Sequence, residues 1–407
     1  MIDPDDYGLD NLPFGVVSDG REERPRAAVA FGTDVIDLDA LVHRGCLDAE
    51  SLLGATTLNA FLGEGPTAWR AVRTRLQHLL GEGASPEERA AVERATLPRA
   101  AVRMHLPIEV GDYVDFYSSL EHATNLGRIL RPNAEPLLPN YRHLPVGYHG
   151  RAGTVVVSGT PVRRPHGQHK APDAAAPAFG PSAQLDVELE LGWIAGPASA
   201  HGRPLAADAV REHVFGYVLL NDWSARDIQG WEYQPLGPFL GKSFATSISP
   251  WIVTLDALEP FRVAEPAREP EPLPYLRARE SWAYDIELEL LLQTARMRER
   301  GQPAQSVSRT NFRGMYWTVA QQLAHVTSNG AHVQPGDLFG SGTISGSEPG
   351  TQGSFIELTS RGAHPIALPG GEQRSFLHDG DTVVMRGRAV RGAARIGFGE
   401  VVGTVVG

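Results

Sequence analysis

The segment Asp186-Val187-Glu188-Leu189-Glu190-Leu191 alternates acidic and apolar residues without a break, and Asp285-Ile286-Glu287-Leu288-Glu289-Leu290 repeats it almost letter for letter. Strict alternation is the signature of a β-strand, because successive side chains point to opposite faces of a sheet. Each copy therefore sets three carboxylates on one face and three branched aliphatics on the other. Such a chain must build a sheet with an apolar face, and must also accommodate like charges in a row. Water does this on an exposed face, and a bound cation does it on a buried one. Having two copies makes the pattern weak evidence by itself, since at most one is expected to hold a metal. The same β-rich bias runs through the composition. Forty-four Gly and 31 Pro impose many turns between short elements.

With 407 residues, 42% of them hydrophobic, the chain can form two or three domains with sizeable cores. A net charge of −11 argues against nucleic acid and against an anionic membrane as partners. Cys46 is the only cysteine, so no intrachain disulfide can form. The N-terminus carries no charged-then-apolar leader, and no apolar run approaches the roughly 20 residues of a membrane span. The expectation is a soluble, cytoplasmic protein.

Residues 1–105 read as a small domain. Ala27–Phe31 and Val35–Leu38 flank Gly32-Thr33-Asp34 as a hairpin. Trp69, Val72, Leu76 and Leu79 lie at helical spacing, with Gly81 to stop the helix. Ser85-Pro86-Glu87-Glu88 starts another, with cap, first-turn Pro and acidic residues at the positive end of the dipole. Residues 106–407 form the second unit, in which short strands alternate with Gly/Pro turns. The segments 163–182 and 259–274 read as irregular and Pro-rich. The spacing of Met315, Val319, Leu323 and Val326 predicts a helix over 311–328, ended by Gly330.

Functional groups concentrate in Asn221-Asp222-Trp223-Ser224-Ala225-Arg226-Asp227-Ile228-Gln229-Gly230-Trp231-Glu232-Tyr233, continuing to Gly241-Lys242-Ser243-Phe244. An apolar, β-prone run, Phe215–Leu220, delivers this stretch to a strand end. Carboxylates, cations and amides backed by aromatics are what a binding site needs, although a Trp-rich turn with surface charges would read the same way.

Here the chain resembles the fumarylacetoacetase family. The resemblance rests on Asp112-Tyr113-Val114-Asp115-Phe116-Tyr117-Ser118-Ser119, His122-Ala123-Thr124-Asn125, Leu144-Pro145-Val146-Gly147-Tyr148-His149-Gly150-Arg151, Asn221–Gln229, Pro235–Phe244 and Ser341-Gly342-Thr343-Ile344-Ser345-Gly346-Ser347. These motifs span most of residues 112–357. The resemblance implies a β-rich α+β chain, with a small N-terminal SH3-like barrel followed by a larger mixed β-roll or sandwich catalytic domain, assembled as a homodimer. It implies metal-dependent hydrolysis of the carbon–carbon bond of 4-fumarylacetoacetate, a small anionic β-diketone, to fumarate and acetoacetate. An acylpyruvate hydrolase of the same superfamily, or a metal-stabilised binding protein without turnover, are the alternatives.

By the same resemblance, Asp115, Glu188, Glu190 and Asp222 are metal ligands, with Lys242 and Thr246 nearby. Four oxygen donors without Cys or His suit a hard cation, Mg²⁺ or Ca²⁺. His122 is the general base, oriented by Glu357, which lies in a strand-like run, Ser354–Leu358. Arg226, Gln229 and Lys242 form the oxyanion side, and Tyr117, Arg131, Tyr148, Gln229, Tyr233 and Thr343 contact substrate. One departure stands beside the base: Leu120-Glu121 places an acidic residue where the family pattern carries Arg-Gln.

Overall fold

The computed structural model describes residues 3–20 and 22–407. Two β-rich units make up the chain. In the first, strands Phe14–Asp19, Arg26–Phe31, Asp34–Asp37, Thr96–Pro98 and Val102–His105 form one antiparallel sheet. Its spatial order places Val102–His105 beside Phe14–Asp19, followed by Arg26–Phe31, Asp34–Asp37 and Thr96–Pro98. The expected hairpin is present, with Phe31 opposite Asp34. Helices Pro66–Leu80 and Pro86–Ala95 also match, the second opened by a complete Ser85–Glu88 capping box.

Among the described residues the second unit holds two large sheets and four two-stranded ones. A mixed sheet runs in the spatial order Gly147–His149, Tyr113–Phe116, Leu338–Gly340, Leu189–Ala195, Val214–Asp222, Thr246–Ile248 and Val155–Val157, with Val253–Thr254 also paired to the long central strand. The other, in the order Gln305–Asn311, Glu287–Gln293, Thr382–Arg391, Ala394–Val406 and Val162–Arg163, shares an apolar core with it.

Strand Val214–Asp222 is buried along its whole length. Tyr217 and Leu219 enter the core shared by the two large sheets, whereas Phe215, Val218 and Leu220 enter the core of the N-terminal unit. Phe215 meets Phe14, Phe61 and Trp69 with ring centroids 5.5, 6.0 and 5.0 Å apart. A strand clamped on both faces reads as a continuous apolar run rather than an alternating one. That packing fixes where its last residue, Asp222, points.

Three local expectations need correction. The helix expected over 311–328 is Val319–Thr327. Asn311 instead ends a strand paired with Glu287, Met315 is buried in a turn, and a Thr318–Gln321 capping box sets the true start. The run around Glu357 is not a strand but a short helix, Phe355–Leu358. The alternating segment 186–191 is interrupted after Asp186, resumes as strand at Leu189, and is buried on both faces. Its copy behaves as an ordinary surface strand. Glu287 and Glu289 there pair with Arg388 and Arg309 at 3.1 and 2.9 Å. Among the described residues no helix is long and apolar enough to cross a membrane.

Candidate metal centre and catalytic dyad

Four buried carboxylates converge where neighbouring strands of the mixed sheet end. Asp115 comes from Tyr113–Phe116, Glu190 from Leu189–Ala195, and Asp222 from the central strand, while Glu188 sits in the break just before Leu189. One oxygen from each lies within 4.8 Å of the others. Burial, reinforced by the Asp222 charge, pushes the Asp115 carboxyl well above its ordinary range. Burial and then Asp115 do the same to Glu190. Glu188 goes the other way: burial opposes its ionisation, but the Lys242 ammonium and the Arg226 guanidinium outweigh burial and hold it low. Lys242 Nζ donates to Glu188 at 2.5 Å and to Asp222 at 2.7 Å, and Arg226 Nη1 meets Glu188 at 2.8 Å.

Those two cations leave part of the cluster unsatisfied. Asp115 Oδ1, Glu190 Oε1 and Asp222 Oδ1 are buried and find no hydrogen-bond partner among the described residues. A buried, unpaired carboxylate oxygen is costly unless a cation ligates it. Three such oxygens in one place, with no nitrogen or sulfur donor, fit a divalent metal held by oxygen alone. The room for it depends on Gly340, because a Cβ there would come 2.5 Å from Asp115 Oδ1 and 3.0 Å from Glu190 Oε2. Gly340→Ala is expected to weaken divalent-cation binding by about 10- to 100-fold while the metal-free protein still melts cooperatively, as read by titration calorimetry and thermal denaturation. Unchanged cation affinity would place the ion elsewhere.

His122 lies on helix Leu120–Leu130, whose N-cap, Ser119, accepts the His122 backbone N–H. Its ring is buried, and Nδ1 lies 2.7 Å from Glu357 Oε2. Ser354 and Ser345 hydroxyls donate to the same oxygen at 2.7 and 3.0 Å, and Asn125 Nδ2 donates to Oε1 at 3.0 Å. Burial works against the Glu357 charge, but His122 and these donors hold its carboxyl below the ordinary value. An ionised carboxylate can only accept, so Nδ1 carries the imidazole proton and the Nε2 lone pair is free. Tyr117 packs edge-on against the imidazole, centroids 5.1 Å apart.

The remaining expected residues divide. Tyr148 donates its hydroxyl to Asp222 at 2.7 Å, Gln229 accepts from Arg226 Nη1 at 3.2 Å, and Thr246 lies opposite Asp222 in strand register. Arg131 is half-buried. Its Nη2 donates to the Pro136 carbonyl at 2.7 Å, leaving a buried Nε without a partner among the described residues. Thr343 is buried, its hydroxyl likewise unpartnered. Tyr233 is half-exposed at the end of helix Arg226–Glu232 and makes no side-chain hydrogen bond to the cluster among the described residues. Glu121 lines a surface cavity with Arg309 and Arg313. A second cavity of about 290 Å³, lined in part by Tyr148, Arg151 and Phe239, opens onto Asp222 and Lys242.

Several groups escaped the sequence reading. Ser345, Ser354 and Asn125 surround Glu357, but hydroxyls and amides carry no sequence signal for a partner so far away in the chain. Asp186 belonged to the alternating pattern, yet it bonds Arg226 rather than facing the carboxylate quartet.

The chain matches two family profiles, "Fumarylacetoacetase N-terminal" over residues 10–107 and "Fumarylacetoacetate (FAA) hydrolase C-terminal" over residues 113–406. It is 46% identical to the fumarylacetoacetase of Rattus norvegicus over 412 aligned residues, covering 100% of this chain and 97% of the rat protein. The Arabidopsis thaliana fumarylacetoacetase is 44% identical, with 98% and 96% of the two chains covered. Among solved structures, a fumarylacetoacetate hydrolase from Exiguobacterium antarcticum superposes with a TM-score of 0.55 at 18% identity, covering 97% of this chain and 99% of that one, which speaks to the fold. With full-length identity at this level and both halves matched, the chain belongs to the fumarylacetoacetase family.

Proposed function

We propose that this protein hydrolyses 4-fumarylacetoacetate to fumarate and acetoacetate, the reaction that ends tyrosine and phenylalanine degradation. The observation that carries this reading is a buried imidazole bonded to Glu357 that lies near enough to the all-oxygen cation site for its charge to act on Glu188. Binding alone would need the second of these, whereas hydrolysis needs both.

Cleaving a carbon–carbon bond expels a carbanion, and the difficulty lies in making that carbanion a tolerable leaving group. Asp115, Glu188, Glu190 and Asp222 would hold a Mg²⁺ or Ca²⁺ ion. When bound, this ion supplies Lewis-acid polarisation of the diketone oxygens and charge compensation for the enolate. Nε2 of His122 takes a proton from water, and the hydroxide oxygen adds to the carbonyl carbon on the fumaryl side. Glu357 stabilises the resulting imidazolium and keeps its ring in place. Lys242, Gln229 and Arg226, whose buried Nη2 has no partner among the described residues, donate to the alkoxide as it forms. The alkoxide re-forms a carbonyl, the carbon–carbon bond breaks, and the electron pair leaves as the enolate of acetoacetate. The proton held on His122 then returns to the enolate carbon, so one water is consumed per bond cleaved. The planar fork of Arg131 suits a substrate carboxylate, with Tyr117, Tyr148, Tyr233 and Thr343 around the chain of the diketone.

The same family reading carries the finer structural expectations: an SH3-like closure of the N-terminal sheet, a division of the chain near residue 105, and a homodimer. The direct test is loss of diketone absorbance by chelator-stripped protein before and after Mg²⁺ or Ca²⁺ is restored, with fumarylacetoacetate and a simple acylpyruvate side by side. Cation-dependent turnover that is much faster on fumarylacetoacetate is the expected result. Preference for the acylpyruvate would move the chain to another branch of chemistry on the same site, and no turnover of either would leave a binding protein.

A further inference from the structure

Asp186 is fully buried, and its carboxylate accepts four hydrogen bonds. Oδ1 takes the backbone N–H of Val187 and of Phe355, both at 2.7 Å. Oδ2 takes the Ile356 N–H at 3.0 Å and Arg226 Nε at 2.8 Å. This fills the acceptor capacity of an ionised carboxylate. Three of these bonds reach the two arms of the reaction centre from one point. Arg226, gripped at Nε, has Nη1 bonded to Glu188 and Gln229 and Nη2 unspent among the described residues. Phe355 and Ile356 open the short helix that carries Glu357, the residue bonded to His122. Ser354, which precedes that helix, makes no side-chain cap and spends its hydroxyl on Glu357 instead. Asp186 supplies the acceptor that the first-turn amides of Phe355 and Ile356 do not find within the helix.

We propose that Asp186 is a positioning residue, a single buried carboxylate that sets the Arg226 guanidinium and the Glu357–His122 pair in register with each other. It touches neither substrate nor cation. Its effect passes through Arg226 on one side and the helix of Glu357 on the other, both held relative to the same two oxygens. A shift of either arm relative to the other misaligns hydroxide delivery and alkoxide stabilisation together. A misplacement of about 1 Å costs about 10²-fold in such geometries.

This inference rests on the reaction proposed above, so wild-type enzyme is assayed on fumarylacetoacetate in the same experiment. Asp186→Asn keeps the shape but presents an amide N–H₂ to N–H donors of Arg226 and the helix. Its kcat is expected to fall about 10²-fold, with KM and divalent-cation affinity within about threefold of wild type. A structural role alone would not produce that split, nor the pattern in the Arg226→Gln background. There, with one arm already lost, Asp186→Asn should cost no more than about tenfold. Equal cost in both backgrounds, or loss of cation affinity in step with kcat, would overturn the proposal. If Asp186→Asn does not fold, Asp186→Glu, which keeps the charge and moves it by one methylene, carries the same cycle with the same outcomes. Wild-type enzyme that cleaves no diketone would remove the reaction itself, and this inference with it.

Discussion

The His122→Asn enzyme is expected to bind carboxylate analogues of the substrate with near-normal affinity and to turn over about 10²- to 10⁴-fold more slowly. The expectation follows from where the proton sits. Glu357 takes the Nδ1 hydrogen bond at 2.7 Å, so in the neutral imidazole Nε2 is the nitrogen without a proton. Asn can fill much of the same space and bond Glu357, but it cannot take a proton from water. The side chains proposed to hold the substrate, Arg131, Tyr117, Tyr148 and Tyr233 among them, are untouched, so the loss is expected in kcat and not in KM. Glu357→Gln tests the other half of the pair. It removes the charge that stabilises the imidazolium and allows the ring to hold its proton on the wrong nitrogen. Adding it to His122→Asn should cost little more, because the two act as one unit. Steady-state kinetics of the four enzymes decide the matter. Turnover by His122→Asn close to wild type would remove the base assignment outright.

The second large effect concerns the cation. Stripping the protein with a chelator is expected to abolish turnover, and restoring Mg²⁺ or Ca²⁺ to recover it. Stability should follow. A ligand that binds only the folded state adds about 2.7 kcal/mol when present at 100 times its dissociation constant. Asp115→Asn makes the argument signed. In metal-free protein Asp115 lies against other buried carboxylates, and burial and the Asp222 charge already disfavour its ionised form. Neutralising it relieves that repulsion, so metal-free Asp115→Asn should melt above metal-free wild type. With cation present the order reverses, since the variant has lost a ligand. Differential scanning calorimetry with and without cation reads both comparisons. A metal-free variant that melts below metal-free wild type, with an undiminished cation shift, would show that the quartet is not the binding site.

The two alternating segments show how far sequence alone reaches. Both were legible as strands, but only the resemblance to a family singled out Glu188 and Glu190 and joined Asp115 and Asp222 to them. Local pattern could not say which copy is buried. Glu287 and Glu289 meet surface arginines, whereas Glu188 and Glu190 are buried beside Asp115 and Asp222, and that difference is made by the neighbours each strand acquires. The helix of His122 was not read from the sequence. Ser119 caps it as such residues do, but the partner on His122 Nδ1 lies 235 positions away, beyond any periodicity argument. Resemblance to a family named Glu357 where spacing could not, while the residues around it were read as a strand and form a short helix. The apolar residues of Phe355–Leu358 suit a strand, yet the Asp186 carboxylate takes its first two free amides and favours a helical turn. The helix expected over 311–328 was overextended for a related reason. Strand pairing of Gln305–Asn311 overrode a spacing that continued upstream of Thr318.

By itself, then, the sequence determined the β-rich class, the hairpin and capped helices of the first hundred residues, and the stretch after Leu220 as the place where charge gathers. These follow from short-range causes: side-chain periodicity, turn chemistry and capping. Tertiary structure alone decided which carboxylates are stripped of water, that Lys242 and Arg226 compensate only part of their charge, and that Asp186 faces Arg226 and a helix start instead of the quartet. Desolvation and long-range hydrogen bonds depend on what closes over a residue, and that is settled only when strands distant in the chain come to lie side by side.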